Sequence, residues 1–332
     1  MTPVSSTPAP PTLEPPAELA TPAVTNGHAH LHAGATASRI ADYRELFKVR
    51  VTALVVMTAW AGFYLGSMRS GISSMQPGLI EALLGIGLVS AGSAALNEAL
   101  ERKLDARMIR TAQRPMAAGR ISLAHGILLG LAAIAAGAIW LTRETNLVTG
   151  TLTLITAFTY VAVYTPLKRY TSLATFIGAF PGAMPPLLGW TAARGRIEWP
   201  AVALFAILFI WQFPHFMAIA WLYREDYGRA GIRMLPVVQP DGWSTVFEAL
   251  TYAVLMIPVS LLPVYLHIAG PYYGVAAGLL GLVYLGYTIR FARITRARST
   301  IESKMYARDL LKVSVIYLPL LLTALMLNAK GK

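Results

Sequence analysis

The chain has 332 residues, of which 55% are hydrophobic and 13% charged, with a mean hydropathy of +0.54. Soluble domains average about 25% charged residues, so this chain lacks the charge to cover a soluble surface, which excludes a soluble enzyme, a coiled coil and a wholly disordered chain. The absence of cysteine excludes disulfides, Cys-ligated zinc, iron–sulfur clusters and thiol catalysis, and the net charge of +12 has to be read from where the charges lie.

Residues 1–38 come first and stand apart. They are rich in Pro, Ala and Thr, with Pro10, Pro11, Pro15 and Pro16, and hold no Lys or Arg. They lack the basic start and apolar core of a signal peptide and the arginines of a transit peptide, which predicts a disordered cytoplasmic tail. His28, His30 and His32 resemble a short metal-binding tract, but in such a tail they carry no expected catalytic role.

From Leu46 onward, long apolar runs alternate with short basic connectors. A helix crosses roughly 30 Å of hydrocarbon with about 20 apolar residues. On that measure we expect nine transmembrane helices, near 46–66, 78–99, 121–141, 146–166, 173–190, 199–222, 245–268, 271–291 and 311–328. The fifth carries Pro181, Pro185 and Pro186, tolerated where neighbouring helices or a polar cavity satisfy the freed carbonyls. With the N-terminus cytoplasmic, 22 of the 28 Lys and Arg fall on the inner side, as the positive-inside rule requires. The expected architecture is therefore an all-α, polytopic membrane domain over 39–332, with the C-terminus outside and no nucleic-acid partner.

Two inner loops hold acids as well as bases. The first is NEALERKLDARMIRTAQRP, residues 97–115, at the end of the second span. Asn97, Glu101 and Asp105 sit four apart and share one helical face, drifting about 40° per step. Three oxygen ligands along roughly 12 Å of helix suit Mg²⁺, a hard cation that binds through carboxylates together with substrate phosphates. Arg110 and Arg114 follow, and guanidinium binds phosphate oxygens bidentately. The second loop, YREDYGRAGIRMLP (223–236), offers Glu225 and Asp226 among Arg224, Arg229 and Arg233. For one such loop alone, a salt-bridged, solvated helix end is the favoured reading. Two of them, four spans apart on one side of the membrane, favour a metal–diphosphate site.

The pattern N-x₃-E-x₃-D-x₂-M-x-R-T-x₂-R-P, from Asn97 to Pro115, resembles the first motif of the protoheme IX farnesyltransferase (heme O synthase) family, a branch of the UbiA-type intramembrane prenyltransferases. The resemblance continues in YTPLKRYT (164–171), in WQFPHFMAIAWLYREDYGRAGIRMLP (211–236) and in YARDLLKVSVIYLPLL (306–321), and covers about residues 40–328. Most members of the superfamily carry two aspartates four apart in the second loop. Here those positions hold Tyr223 and Tyr227 with Glu225 and Asp226 between them, which favours the heme branch over the quinone-forming ones.

The resemblance implies a reaction in which farnesyl diphosphate, heme B and water give heme O and diphosphate, in the bacterial cytoplasmic membrane. It implies Mg²⁺ as cofactor, with Asn97, Glu101, Asp105 and Asp226 as candidate ligands and Glu225 beside them. Arg102, Arg110, Arg114, Lys168 and Arg224 become the diphosphate candidates. The surroundings are the lipid bilayer, with heme A synthase or terminal oxidase assembly factors as protein partners. His215, inside the sixth span, is an intramembrane histidine and so a functional candidate, either as an axial ligand to heme iron or as a partner for a carbonyl freed by Pro214. Tyr160, Tyr164, Phe180, Trp190, Trp211 and Phe213 could line an isoprenoid channel or simply pack. Two other readings remain open: a prenyltransferase for an aromatic quinone precursor, and a secondary transporter. Against the transporter stands the position of the acids, at span ends rather than at the bilayer midplane.

Overall fold

The computed structural model describes residues 39–71 and 78–331. The expected tail, with His28, His30 and His32, lies outside the described residues. A short helix, α1 (Arg39–Leu46), leads into α2 (Val49–Arg69), α3 (Gly78–Asp105), α4 (Leu123–Glu144) and α5 (Leu147–Leu167). Then come α6 (Ala174–Arg194) and α7 (Trp199–Leu222), followed by the short α8 (Arg224–Ala230) and α9 (Leu235–Val238). The last three long helices are α10 (Trp243–Tyr265), α11 (Pro271–Phe291) and α12 (Thr300–Leu327). Among the described residues the only β feature is an isolated bridge, Ala269 with Ala329. The protein is a multi-pass, all-helical membrane protein.

Eight of these helices are long and apolar enough to cross a membrane. The remaining expected span, the fifth, is α6, helical over 21 residues through all three of its prolines, about 31 Å at 1.5 Å per residue, but it is less apolar than the eight. Its position explains the difference. Most of α6 from Ala174 to Thr191 is covered by neighbouring helices, so it needs little lipid-soluble surface. The other expected ends shift by a few residues, apart from α12. That helix starts at Thr300 rather than near 311, with Ser299 Oγ accepting from the Glu302 amide as N-cap.

Small residues set how closely the helices cross. A Cβ on Gly62 of α2 would fall 1.9 Å from the Pro186 carbonyl oxygen of α6, and one on Gly189 of α6 would fall 1.8 Å from the Ala59 oxygen of α2. Backbone therefore meets backbone at this crossing, as small residues permit in membrane helix pairs. The α3–α4 pair uses the same device, because a Cβ on Gly92 would lie 2.6 Å from the Gly130 oxygen. The main core then fills the space among α6, α7, α10, α11 and α12 with Trp190, Phe291, Tyr273 and Tyr284, all fully buried.

In α5 the register changes. Residues Thr159–Tyr164 form a π-helical turn just ahead of Pro166, whose ring cannot pack into a regular α-turn or donate an amide hydrogen bond. Thr165 Oγ1 donates to the Tyr160 carbonyl at 2.8 Å and satisfies part of the widened turn. Such turns gather at functional sites, and Tyr160, Tyr164 and Lys168 line a cavity beside this one.

The glycine crossings are directly testable. Gly189→Leu forces α6 away from α2 and should destabilise the fold by about 3 kcal/mol or more, read as a lower melting temperature and a loss of monodisperse protein in detergent. Gly278→Leu, at a position with nothing within 4 Å of the new Cβ, should leave both unchanged.

Candidate active site

The cavity, about 470 Å³, lies among α2, α3, α5, α6 and α7, within the size range of a small-molecule site. Its wall is apolar, with Val51, Val55, Ile86, Val89, Leu188 and Phe216. Its mouth is charged. Lys48, Arg110, Arg114 and Lys168 line it together with Glu101 and Asp105, four cations against two carboxylates, so an anion is favoured there.

The last two turns of α3 carry the acids, and each polar side chain on that face meets a cation. Asn97, 1% exposed, accepts from Lys48 Nζ at 2.6 Å through Oδ1 and donates to Thr165 Oγ1 at 3.1 Å. Glu101 forms an ion pair with Lys168. Asp105, fully buried, receives Arg114 Nη1 at 2.9 Å on both carboxylate oxygens. The loop that returns Arg114 is held by the buried Glu98, which accepts from the Met116 amide at 3.0 Å. Arg110 lies over the Tyr223 ring at 4.9 Å.

These pairings shift the ionisable groups. Burial and the charge of Arg114 push Lys48 down to about 8. Burial pulls Arg114 down too, but the Asp105 carboxylate holds it above its ordinary value. For Lys168 burial is again the largest effect and lowers it, yet neighbouring Tyr164 and Glu101 keep it raised.

Lys48 was not singled out from the sequence, where it counted only as an inner-side basic residue. It sits between α1 and α2 in a left-handed conformation, φ 45° and ψ 50°. That region is sparsely populated by non-glycine residues, and such strain gathers at functional sites. Tyr227, Ile232 and Met234 also line the cavity, as does Gln212 of α7.

The second loop reaches the site with other residues than those expected. The Arg233 amide donates to the Lys168 carbonyl at 3.0 Å, and Tyr227, Ala230 and Ile232 pack on Leu104 and Met108. The two loops therefore join through an apolar contact. Asp226 pairs with Arg229 one turn along its own helix, and Glu225, 56% exposed, pairs with Lys304 at 3.2 Å. Arg224 donates to the Trp221 carbonyl at 3.0 Å and covers the Trp221 ring, while Arg102 donates to the Ala99 carbonyl at 3.3 Å. None of these four lines the cavity. In this arrangement the Asp226 carboxylate is paired with Arg229 and stays outside the cavity lining, next to Tyr227, which belongs to that lining.

His215 lies beside the cavity rather than in its lining. Its Nδ1 is 2.7 Å from Ser314 Oγ on α12, and its ring stacks on Trp211 at 4.9 Å. Ser314 Oγ donates its own proton to the Leu311 carbonyl at 2.7 Å, so it accepts from Nδ1–H and leaves Nε2 with a free lone pair. Of the aromatic candidates, Tyr160 and Tyr164 line the cavity. Trp190 and Phe213 are fully buried in packing, Phe180 is 41% exposed, and the Trp211 indole donates to the Ser314 carbonyl at 2.9 Å.

Among the described residues no three His, Asp or Glu side chains form a ready-made metal cage. Asn97, Glu101 and Asp105 still present three hard oxygen donors in one row at the cavity mouth. That set fits Mg²⁺, which usually takes one or two carboxylates and completes its shell with water and phosphate oxygens.

The UbiA prenyltransferase family matches residues 54–310. The chain is 53% identical over 292 residues to a protoheme IX farnesyltransferase of Koribacter versatilis (strain Ellin345), covering 88% of this chain and 94% of the relative. It is 41% identical to that of Solibacter usitatus (strain Ellin6076), over 87% of this chain and 99% of the relative. Among solved structures it is similar to a digeranylgeranylglyceryl phosphate synthase, with a TM-score of 0.69 and 19% identity over 87% of this chain and 98% of that one. It is also similar to a UbiA homolog from Archaeoglobus fulgidus bound to GPP and Mg²⁺, with a TM-score of 0.57 and 15% identity over 86% and 99% of the two chains. A cationic mouth over an apolar intramembrane cavity, the helical fold and these matches agree: the chain belongs to the UbiA prenyltransferase family.

Proposed function

We propose that this protein transfers the farnesyl group of farnesyl diphosphate to a vinyl group of heme B, giving heme O. The observation that carries the reading is the cavity itself, mostly apolar in its wall and ringed at its mouth by Lys48, Arg110, Arg114 and Lys168 beside Glu101 and Asp105. A C15 hydrocarbon fits the apolar part, and a diphosphate fits the cationic end. The names of the relatives, 53% and 41% identical over most of the chain, support heme B as the acceptor.

The residues account for the chemistry. The allylic C–O bond breaks when the leaving group's negative charge is stabilised by fixed donors in a water-poor site. Lys48, Lys168, Arg110 and Arg114 are those donors, already ordered around the mouth before substrate arrives. Asn97, Glu101 and Asp105 would hold Mg²⁺, which supplies further positive charge to the departing diphosphate. Arg114 now covers Asp105, so diphosphate drawing the guanidinium onto itself frees that carboxylate for the metal. The ring faces of Tyr160 and Tyr164 border the place where the allylic cation forms. His215, with a free Nε2, serves the heme rather than the diphosphate. We place the protein in the bacterial cytoplasmic membrane, with residues 1–38 and the cavity mouth on the cytoplasmic side.

The direct test is to supply the membrane-embedded protein with heme B, farnesyl diphosphate and Mg²⁺ and look for heme O by mass spectrometry. Asp105→Ala should abolish the product while leaving a folded, inserted protein; activity within about threefold of wild type would make Asp105 a salt-bridge residue only. Lys48→Ala and Arg114→Ala each remove a charge-assisted contact of about 1.5–3 kcal/mol. Each should raise the KM for farnesyl diphosphate about 10- to 100-fold and leave heme binding intact. His215→Ala should do the reverse, shifting the heme absorption spectrum at unchanged diphosphate affinity. Reporter fusions should place residues 100–120 and 224–242 in the cytoplasm and the C-terminus outside, and a cytoplasmic C-terminal reporter would overturn the orientation.

A further inference from the structure

Gln212 occupies an unusual position for a polar side chain. It lies in the middle of α7, is 4% exposed, and lines the cavity. Both hydrogens of its amide are used, since Nε2 donates to the Ala179 carbonyl and to the Leu208 carbonyl, each at 3.1 Å. This fixes which end of the carboxamide is oxygen, because the reversed amide would set Oε1 against two carbonyl oxygens. Oε1 is thus held in one orientation, and among the described residues no donor is bonded to it. It rests over Gly182, where a Cβ would come within 2.0 Å of it. The bare glycine leaves the oxygen room.

The depth is informative as well. Gly178 is bare against Tyr164, where a Cβ would fall 2.5 Å from the ring, and Tyr164 lies 5.1 Å below the Lys168 ammonium. Gly182 and Gln212 are one turn of α6 further in, about 6 Å. Gln212 Oε1 is therefore an acceptor just beyond the phosphate end, at the level of the carbons that react. An amide oxygen facing an apolar cavity needs a donor when the site fills. On the proposed reaction, on which this inference rests, the farnesyl chain and the heme vinyl group are hydrocarbon, and diphosphate only accepts. Water is the donor that remains.

We infer that Gln212 is a water-positioning residue, holding through Oε1 the water molecule that is added to the farnesylated vinyl group. The C1–O bond of farnesyl diphosphate breaks and its electron pair leaves on the diphosphate. The vinyl π pair bonds C1 to the terminal vinyl carbon, which leaves the inner carbon cationic beside the porphyrin. An oxygen lone pair of the held water bonds to that carbon, and the surplus proton passes to the departing diphosphate. Nothing is oxidised or reduced. Without a held water, the same cation loses a proton from the adjacent carbon and gives an alkene.

Two variants of the full-length protein in membranes test this with heme B and farnesyl diphosphate. Gln212→Met keeps the shape and removes the acceptor. Gly182→Ala keeps Gln212 and puts a methyl group against Oε1. Diphosphate release should stay within about threefold of wild type, while the ratio of heme O to a product lighter by one water should fall about tenfold or more. Heme O as the sole product of Gln212→Met at the wild-type rate would overturn the inference. So would loss of diphosphate release in both variants, which would put Gln212 in packing or before carbon–carbon bond formation. If wild type itself makes no heme O, it is the proposed function that fails.

Discussion

Charge cannot stand alone inside a membrane protein, and that constraint organises this molecule. The low dielectric makes an unpaired buried ion far more costly than one in water. Glu101 and Asp105 are buried at the end of α3, and each has a cation from another part of the chain: Lys168 after α5 and Arg114 from the return loop. Asn97 has Lys48 from the start of α2. The left-handed backbone at Lys48, the π-helical turn of α5 and the Glu98 anchor under Met116 all help bring those partners to one row of side chains. The resulting cluster carries more positive than negative charge, so an anion that enters it is favoured.

The same bilayer setting explains the cavity. Helices that approach to backbone contact at Gly62 and Gly189 leave little room at their crossing, and in the cavity wall Gly178 and Gly182 let the Tyr164 ring and the Gln212 amide lie directly against the α6 backbone. Prolines that would break a soluble helix are tolerated in α6 because its faces meet the cavity and neighbouring helices. Water exclusion follows from the apolar wall. Polar groups that remain inside it, such as Gln212, are then conspicuous, since each must be satisfied or reserved for something that enters.

Much of this was legible along the chain. Apolar run length follows from membrane thickness, so the spans could be counted, and a 3.6-residue period places Asn97, Glu101 and Asp105 on one face whatever surrounds them. Both are local properties. Arg110 and Arg114 follow within the same segment, and all five line the mouth. Lys168 came from the resemblance, within YTPLKRYT, and it too lines the cavity.

What tertiary structure decided was partner choice. Asp226 looked equivalent to Asp105 as a residue type beside arginines, yet it turns to Arg229 while Arg114 folds back from nine residues away onto Asp105. Lys48 looked like one topological charge among many, and only the packing of α2 against α3 brings it to Asn97. His215 and Gln212 are three apart on α7, but one bonds Ser314 of α12 and the other faces the cavity. The physical reason is common to all of them. Sequence sets the rotation of a residue about its own helix axis, while the rotation of that helix against its neighbours depends on contacts from distant segments, and it is the second rotation that selects which buried groups meet.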